Sequence, residues 1–437
     1  MSESVSDRRR RTPRTDAVLD DPRLAEARRR LGRGRVKRDV VAALARCRAG
    51  ELEPAQVYDA VLASLPETSA SLRPVVNATG VVVHTNLGRA PLSEAATEAL
   101  RLAAGATDVE LDLRSGRRGR RGEGALRALR DAVPGAGVHV VNNGAAALGL
   151  ATAVLAAGRE VVIARGEMVE IGDGFRIPEL VESFGATLRE VGTTNRVSRA
   201  DYAAAIGPET GCVLKVHPSN FRVQGFTASA DVSELAGLPV PVVVDNGSGL
   251  LSAHPRLPDE PDATSTLRAG AALVTASGDK LLGGPQCGLL LGEESLVVRL
   301  RRHPMARALR VDKLTLAALE ATLTGPPTPV AQALAADPDD LLRRAEELAA
   351  RIGYPARAVS SEAAVGGGGA PGVELPSAAV CVPADWAGPL RLGRPAVVGR
   401  VQREQLLLDL IAVPPEQDDV LADAVRRVAH DRPDGAA

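Results

Sequence analysis

Short β-branched runs alternate with alanine-rich stretches of helical length through the middle of this 437-residue chain, and no other feature restricts its fold as much. Val138-His139-Val140-Val141 precedes the alanine-rich residues 145–157; the runs 160–164 and Val242-Val243-Val244 follow, and 271–276 is a further short apolar run. Strands alternating with helices of this length predict an α/β fold built on a mostly parallel, doubly wound sheet with helices on both faces. Such a sheet binds its ligands beyond the carboxyl ends of the strands, which directs attention to the loops there.

The length suits two or three domains. A basic helical N-terminal domain is predicted over 1–74, where Val40, Val41, Leu44 and Cys47 recur at helical spacing. Residues 1–40 carry thirteen Arg or Lys against seven Asp or Glu, and such a face is either solvated or binds RNA. Arg8, Arg9, Arg10 and Arg11 together add a salt-dependent, nonspecific attraction to nucleic acid. The α/β domain is expected over 75–325, ended by the breaker cluster Thr324-Gly325-Pro326-Pro327-Thr328-Pro329. A small C-terminal α/β domain over 326–437 carries a helical pattern at 341–352, a glycine run at 366–369 read as flexible, and a strand-like 405–411. No stretch approaches the roughly 20 apolar residues of a membrane-spanning helix, and the Arg-rich start lacks the apolar segment of a secretory signal. The expectation is a cytoplasmic protein with no membrane partner. Cys47, Cys212, Cys287 and Cys381 are scattered without metal-ligand spacing, so reduced thiols and no metal are expected.

Three strand ends carry chemistry. Asn142-Asn143-Gly144-Ala145 leads into a helix, and serves either as a cap or as a phosphate site on exposed N–H groups. Asp245 ends the run 242–244 and is followed by glycines; burial would raise its pKa unless a cation faces it. In SGDKLLGGPQ (277–286), Lys280 follows the apolar run, either as a solvated turn residue or as a nucleophile held near a ligand. Together these meet the needs of a pyridoxal phosphate enzyme: an amine for the cofactor aldehyde, a carboxylate for the pyridine nitrogen, a helix N-terminus for the phosphate. A nicotinamide enzyme is the competitor on such a sheet. It is disfavoured because no G-x-G-x-x-G sits at a strand-to-helix turn, the 366–369 run lying in a loop of the C-terminal domain.

The segments NATGVVVHTNLGRAPLS (77–93), GEMVEIGDGFRIPEL (166–180), EVGTTNR (190–196), SGDKLLGGPQ and RALRVDKLTLAALEATL (307–323) closely resemble the bacterial selenocysteine synthases, the L-seryl-tRNA(Sec) selenium transferases. DPRL (21–24), GVELPS (372–377) and LLLDL (406–410) extend the resemblance over nearly the whole chain. It implies a fold-type-I pyridoxal 5'-phosphate enzyme, a homodecameric ring, and conversion of seryl-tRNA(Sec) to selenocysteinyl-tRNA(Sec) with selenophosphate as selenium donor. Lys280 then matches the lysine that bonds the cofactor, with Asp279 beside it as a second catalytic residue. Asp245 matches the acid at the pyridine nitrogen, and Asn143, Gly144, Ala145 and Ser277 match the phosphate site. Arg89, Arg307 and Arg310 match the arginines for the donor's phosphate, and Thr193, Thr194 and Asn220 fall in substrate-binding segments. The arginine-rich loop DLRSGRRGRRGEG (112–124) is either a guide for the acceptor end of tRNA or a solvated loop, and His84 and His217 either orient backbone or move protons. This chain departs from the family at Gly144 and Ala145, at Phe221 where tyrosine is usual, and at Asn246 where leucine is more frequent. The alternative is a pyridoxal phosphate lyase acting on a small amino acid or amino sugar acid, which has no physical reason to carry a basic helical N-terminus. A non-catalytic RNA-binding relic would have lost Lys280 or Asp245, and both are present.

Overall fold

The computed structural model describes residues 11–172 and 174–431, which fall into two compact units, one ending at Pro74 and the other beginning at Val75. Arg8, Arg9 and Arg10 lie outside the described residues.

The first unit is helical: Thr15–Leu19, Ala25–Leu31, Arg33–Ala49 and Val57–Ser64. Its core gathers Val18, Leu24, Val36, Val40, Leu44 and Val61. Val36, Val40, Leu44 and Cys47 form one stripe of the long helix, whereas Val41 is 45% exposed. A one-residue step on a helix turns the side chain about 100° away, so Val41 leaves the stripe that Val40 occupies. Arg33 pairs with Asp20 at 2.6 Å and Arg35 with Asp39 at 3.2 Å, while Lys37, Arg38 and Arg48 lie exposed on the same helix.

Besides a two-stranded ribbon of Leu111–Asp112 with Arg117–Arg118, the second unit contains two larger sheets. Its first strands, β1 (Val75–Ala78) and β2 (Val81–Val83), come before the seven-stranded sheet in the chain but belong to the other sheet. The seven are β3 (Gly137–Val141), β4 (Glu160–Ala164), β5 (Thr187–Val191), β6 (Thr210–Val216), β7 (Val242–Gly247), β8 (Leu273–Ser277) and β9 (Gly288–Gly292), in the order β3-β9-β8-β7-β6-β4-β5. All neighbours run parallel except at β9, which is antiparallel to both β3 and β8. Runs such as Val161-Val162-Ile163 are apolar without alternation because both faces of the strand are covered. Residues 146–152 of the helix Gly144–Leu155 are all buried, which explains its lack of a polar face. Residues 325–328 separate two helices, Lys313–Thr324 and Pro329–Ala335, the second capped by the Thr328 hydroxyl at 3.2 Å from Ala331 N.

The second sheet adds β10 (Arg357–Gly366), β11 (Glu374–Pro383), β12 (Ala396–Gln402) and β13 (Gln405–Asp409), giving the order β1-β12-β13-β11-β10-β2. The helices Pro338–Ile352 and Asp418–His430 bury Leu341, Leu348, Leu421 and Val425 in the core it shares with Val76, Val83 and Leu281. The Lys280 loop therefore packs against the same core as the C-terminal strands.

Candidate active site

β7 and β8 pair in parallel with Thr275 opposite Asp245, and the register slips between Thr275 and Ala276. This pairing lets the Thr275 hydroxyl donate to Asp245 Oδ1 at 2.7 Å. Burial pushes the Asp245 carboxyl above the ordinary carboxylate range, opposed by the Thr275 bond and by the charges of Lys280 and His217. Beyond β8 the chain folds tightly: Gly278 N–H donates to the Cys287 carbonyl (2.9 Å), Leu281 N–H to the Ser248 carbonyl (2.8 Å) and Gly284 N–H to the Gly278 carbonyl (2.9 Å). These bonds leave Lys280 only 9% exposed. Burial, with a smaller push from Arg89, holds its ammonium below the usual lysine range, against the pull of Asp245, Asp279 and Glu260. A buried amine of lowered pKa, facing a carboxylate, is equipped to act as nucleophile and base. It is not a solvated turn residue.

Asn143 caps the helix Gly144–Leu155, its Oδ1 accepting from Ala146 N at 2.8 Å, while Asn142 N–H donates to the Leu309 carbonyl at 3.0 Å. One asparagine is thus a cap and the other a backbone tie. The N–H groups of Gly144 and Ala145 precede the start of intrahelical bonding and point out of the helix end. A Cβ on Gly144 would lie 2.5 Å from Ser277 Oγ, so the glycine keeps a cradle open between helix end and β8. Amine, carboxylate and anion cradle are all supplied by the ends of β8, β7 and β3, and these groups fit pyridoxal phosphate.

The remaining predicted residues are spread around this cleft. Asp279, 7% exposed, pairs with Arg89 at 2.6 Å, and both line a cavity of about 410 Å³ with Thr85, Gly284 and Gln286. Arg89 adopts φ 67°, a left-handed conformation rare for a side chain of its size. Arg310 lies in a bridge with Val141 and lines a different cavity, of about 220 Å³, with Arg118, Arg121, Arg301 and His139. Arg307 is exposed on the helix Pro304–Ala308. Within one chain, therefore, Arg89 and Arg310 do not share a cavity. Thr193 and Thr194 line a third cavity of about 530 Å³ with His217, Phe221, Asn246 and Glu260. Asn220 stands outside that lining, its side-chain amide donating to the Glu170 carbonyl at 3.0 Å.

Several residues were not legible as site residues. Glu260 Oε2 meets His217 Nε2 at 3.2 Å and accepts from Ala370 N at 2.5 Å. Asn246 is fully buried and donates to Thr266 Oγ1 at 3.3 Å. The glycine run 366–369, expected to be a flexible loop of the C-terminal domain, packs against Lys280, Leu281 and Ser248. The reason is topological: β10, which precedes it, pairs with β2 beside the Lys280 loop. Arg118 and Arg121 both contact Glu110, at 2.8 and 3.2 Å, so the arginine-rich loop is partly tied down. His84 accepts from Asn86 N at 3.2 Å and orients backbone. All four cysteines are buried and free, and burial pushes the Cys212 and Cys287 thiols up to about 12. Among the described residues no helix is long and apolar enough to cross a membrane, and no cluster of His, Cys, Asp or Glu could hold a metal ion.

A lysine beyond one strand of a mostly parallel sheet, a carboxylate beyond its neighbour and a helix end for an anion define the scaffold of the fold-type-I pyridoxal-phosphate-dependent enzymes. A solved structure described as D-glucosaminate-6-phosphate ammonia-lyase shares this fold, with a TM-score of 0.59 at 19% identity over 83% of this chain and 97% of that one. Residues 75–414 match the family described as L-seryl-tRNA selenium transferase. The L-seryl-tRNA(Sec) selenium transferase of Moorella thermoacetica is 46% identical over 384 residues, 82% of each chain. That of Geobacter sulfurreducens is 39% identical over 456 residues, 96% of this chain and 99% of the relative. The chain belongs to the L-seryl-tRNA selenium transferase family.

Proposed function

We propose that this protein converts seryl-tRNA(Sec) to selenocysteinyl-tRNA(Sec), with pyridoxal phosphate as cofactor and selenophosphate as selenium donor. The observation that carries the reading is the buried Lys280 amine, under the charge of Asp245, in a chain of this family. Bound in the cleft, the cofactor supplies an electron sink for loss of the seryl Cα proton and hydroxyl. Lys280 would hold it at rest and would take the Cα proton and later return it. Asp245, held by Thr275, would serve the pyridine nitrogen, and Asn143, Gly144, Ala145 and Ser277 would hold the cofactor phosphate. Asp279 orients Arg89, and Arg89, Arg307 and Arg310 bind the donor's phosphate through guanidinium forks. Thr193, Thr194 and Asn220 contact the charged acceptor end, and the basic helical unit over 1–74 binds the tRNA body.

Arg89 and Arg310 lie in separate cavities of one chain, which accords with a homo-oligomer, a decamer by family resemblance, in which neighbouring subunits complete each site. A cytoplasmic location suits buried reduced thiols. The basic N-terminal unit and the family favour the transferase over a small-molecule lyase. Lys280→Ala tests the assignment: it should abolish selenocysteinyl-tRNA formation with the melting temperature and tRNA affinity retained, and turnover by the purified variant would refute it.

A further inference from the structure

Lysine has four rotatable side-chain bonds, so an amine that must occupy one place needs walls as well as charges. At Lys280 one wall is the glycine run that leaves β10. A Cβ on Gly368 would stand 2.6 Å from both Nζ and Cε of Lys280, and 2.9 Å from Cδ. Gly368 has φ +87°, a backbone conformation that side chains rarely adopt. Gly369 lies as close to the next residue, where a Cβ would meet Leu281 Cδ1 at 2.9 Å. Both ends of the run are anchored. Gly367 N–H donates to the Val83 carbonyl at 2.8 Å, and Ala370 N–H donates to Glu260 Oε2 at 2.5 Å. The same Glu260 oxygen meets the His217 ring, and the His217 backbone N–H donates to the Asp245 carbonyl at 3.0 Å. Glu260 is 5% exposed, so one buried carboxylate ties the wall over Lys280 to the strand end that carries Asp245.

We propose that Gly368 is a positioning residue for Lys280: its bare Cα forms the wall that confines the amine, and Glu260 clamps that wall to the end of β7. The proposal rests on Lys280 being the residue that bonds the cofactor. A side chain at position 368 would meet the far end of a flexible lysine before it met rigid backbone, so the change should displace the amine ahead of the fold.

The test uses the full-length protein and pyridoxal phosphate, without tRNA. Equilibrium dialysis gives cofactor affinity, and borohydride reduction with peptide mapping gives the fraction of Lys280 joined to it. Gly368→Ala should weaken affinity by roughly two- to tenfold, the effect of forcing a side chain off its preferred rotamer, and should lower the trapped fraction. Gly353→Ala is the control, since Gly353 has φ +84° with nothing within 4 Å of an added Cβ, and should leave both readings unchanged. Glu260→Ala should move both in the direction of Gly368→Ala, and Glu260→Gln, which keeps an acceptor for Ala370 N–H, should recover most of the loss. If Gly368→Ala is too unstable to purify alone, it is combined with Lys280→Ala. Its stability cost in that background should then fall to that of Gly353→Ala. Unchanged affinity and trapping in Gly368→Ala, or an equal stability cost with and without the Lys280 side chain, would overturn the proposal. Wild-type protein that carries no cofactor on Lys280 would overturn the site assignment as well.

Discussion

At the scale of single residues, charge and burial set the behaviour of the cleft and its surroundings. His139, on β3, is held at about 4 by burial and by the nearby Arg301 and Arg120. The unfolded chain binds a proton there near the ordinary value of about 6.5, so the stability tied to neutral His139 is complete above that pH. It is lost as pH falls from about 6.5 to about 4, by up to about 3 kcal/mol. His139→Gln should flatten this part of the pH–stability curve in urea titrations; an unchanged slope would show that other groups govern it. Arg307→Ala should leave wash-out of a Cα tritium label from seryl-tRNA intact and reduce selenium incorporation about tenfold or more, as for loss of a charged phosphate contact. Equal loss of both would remove Arg307 from the donor site. Lys280, Asp245 and Asn143 were legible because each follows a recognisable strand. Thr275 as Asp245's partner depends on the β7–β8 register, and Glu260 on packing across 110 residues of chain to Ala370, neither of which spacing reveals.

At the scale of elements, two junctions carry most of the design. Gly144 lets the helix end approach β8, so Gly144→Ala should weaken cofactor affinity by clashing with Ser277 Oγ. Adding Ser277→Ala should recover part of the loss if the hydroxyl is the obstacle, and no recovery would place the defect elsewhere. In the second sheet, Asp409 is fully buried at the end of β13. It accepts from the hydroxyls of Ser361 (2.6 Å) and Ser377 (2.7 Å) and from Ile411 N (3.1 Å), with Arg400 at 3.7 Å. Asp409→Ala leaves these donors unmatched and should cost about 3 kcal/mol in chemical denaturation. A loss under 1 kcal/mol would mean that water replaces the carboxylate. Alternation of strand and helix made β3, β4, β7 and β8 of the seven-stranded sheet readable, whereas the antiparallel β9 interrupts the pattern. The second sheet was less so, because β1 pairs with Ala396–Gln402 and β2 with Arg357–Gly366, both far along the chain, and local pattern carries no trace of such pairing. For the same reason the run 366–369 read as a flexible loop of the C-terminal domain although it lies on Lys280.

At the scale of the whole molecule, the chain divides into a helical unit and a unit that carries the cleft, and the proposed function gives tRNA binding to the first. Removing residues 1–74 should preserve cofactor binding by the rest of the chain while lowering tRNA affinity and the steepness of its salt dependence, since fewer phosphates are then neutralised. Unchanged tRNA affinity would move RNA recognition to the second unit. The most direct test of the proposed function is the visible absorbance spectrum of the cofactor-loaded protein, recorded before and after addition of seryl-tRNA(Sec), with free L-serine as the control. The account predicts a spectral change with the charged tRNA alone, absent in Lys280→Ala. A change with free serine and none with the tRNA would contradict it and point to a small-molecule lyase.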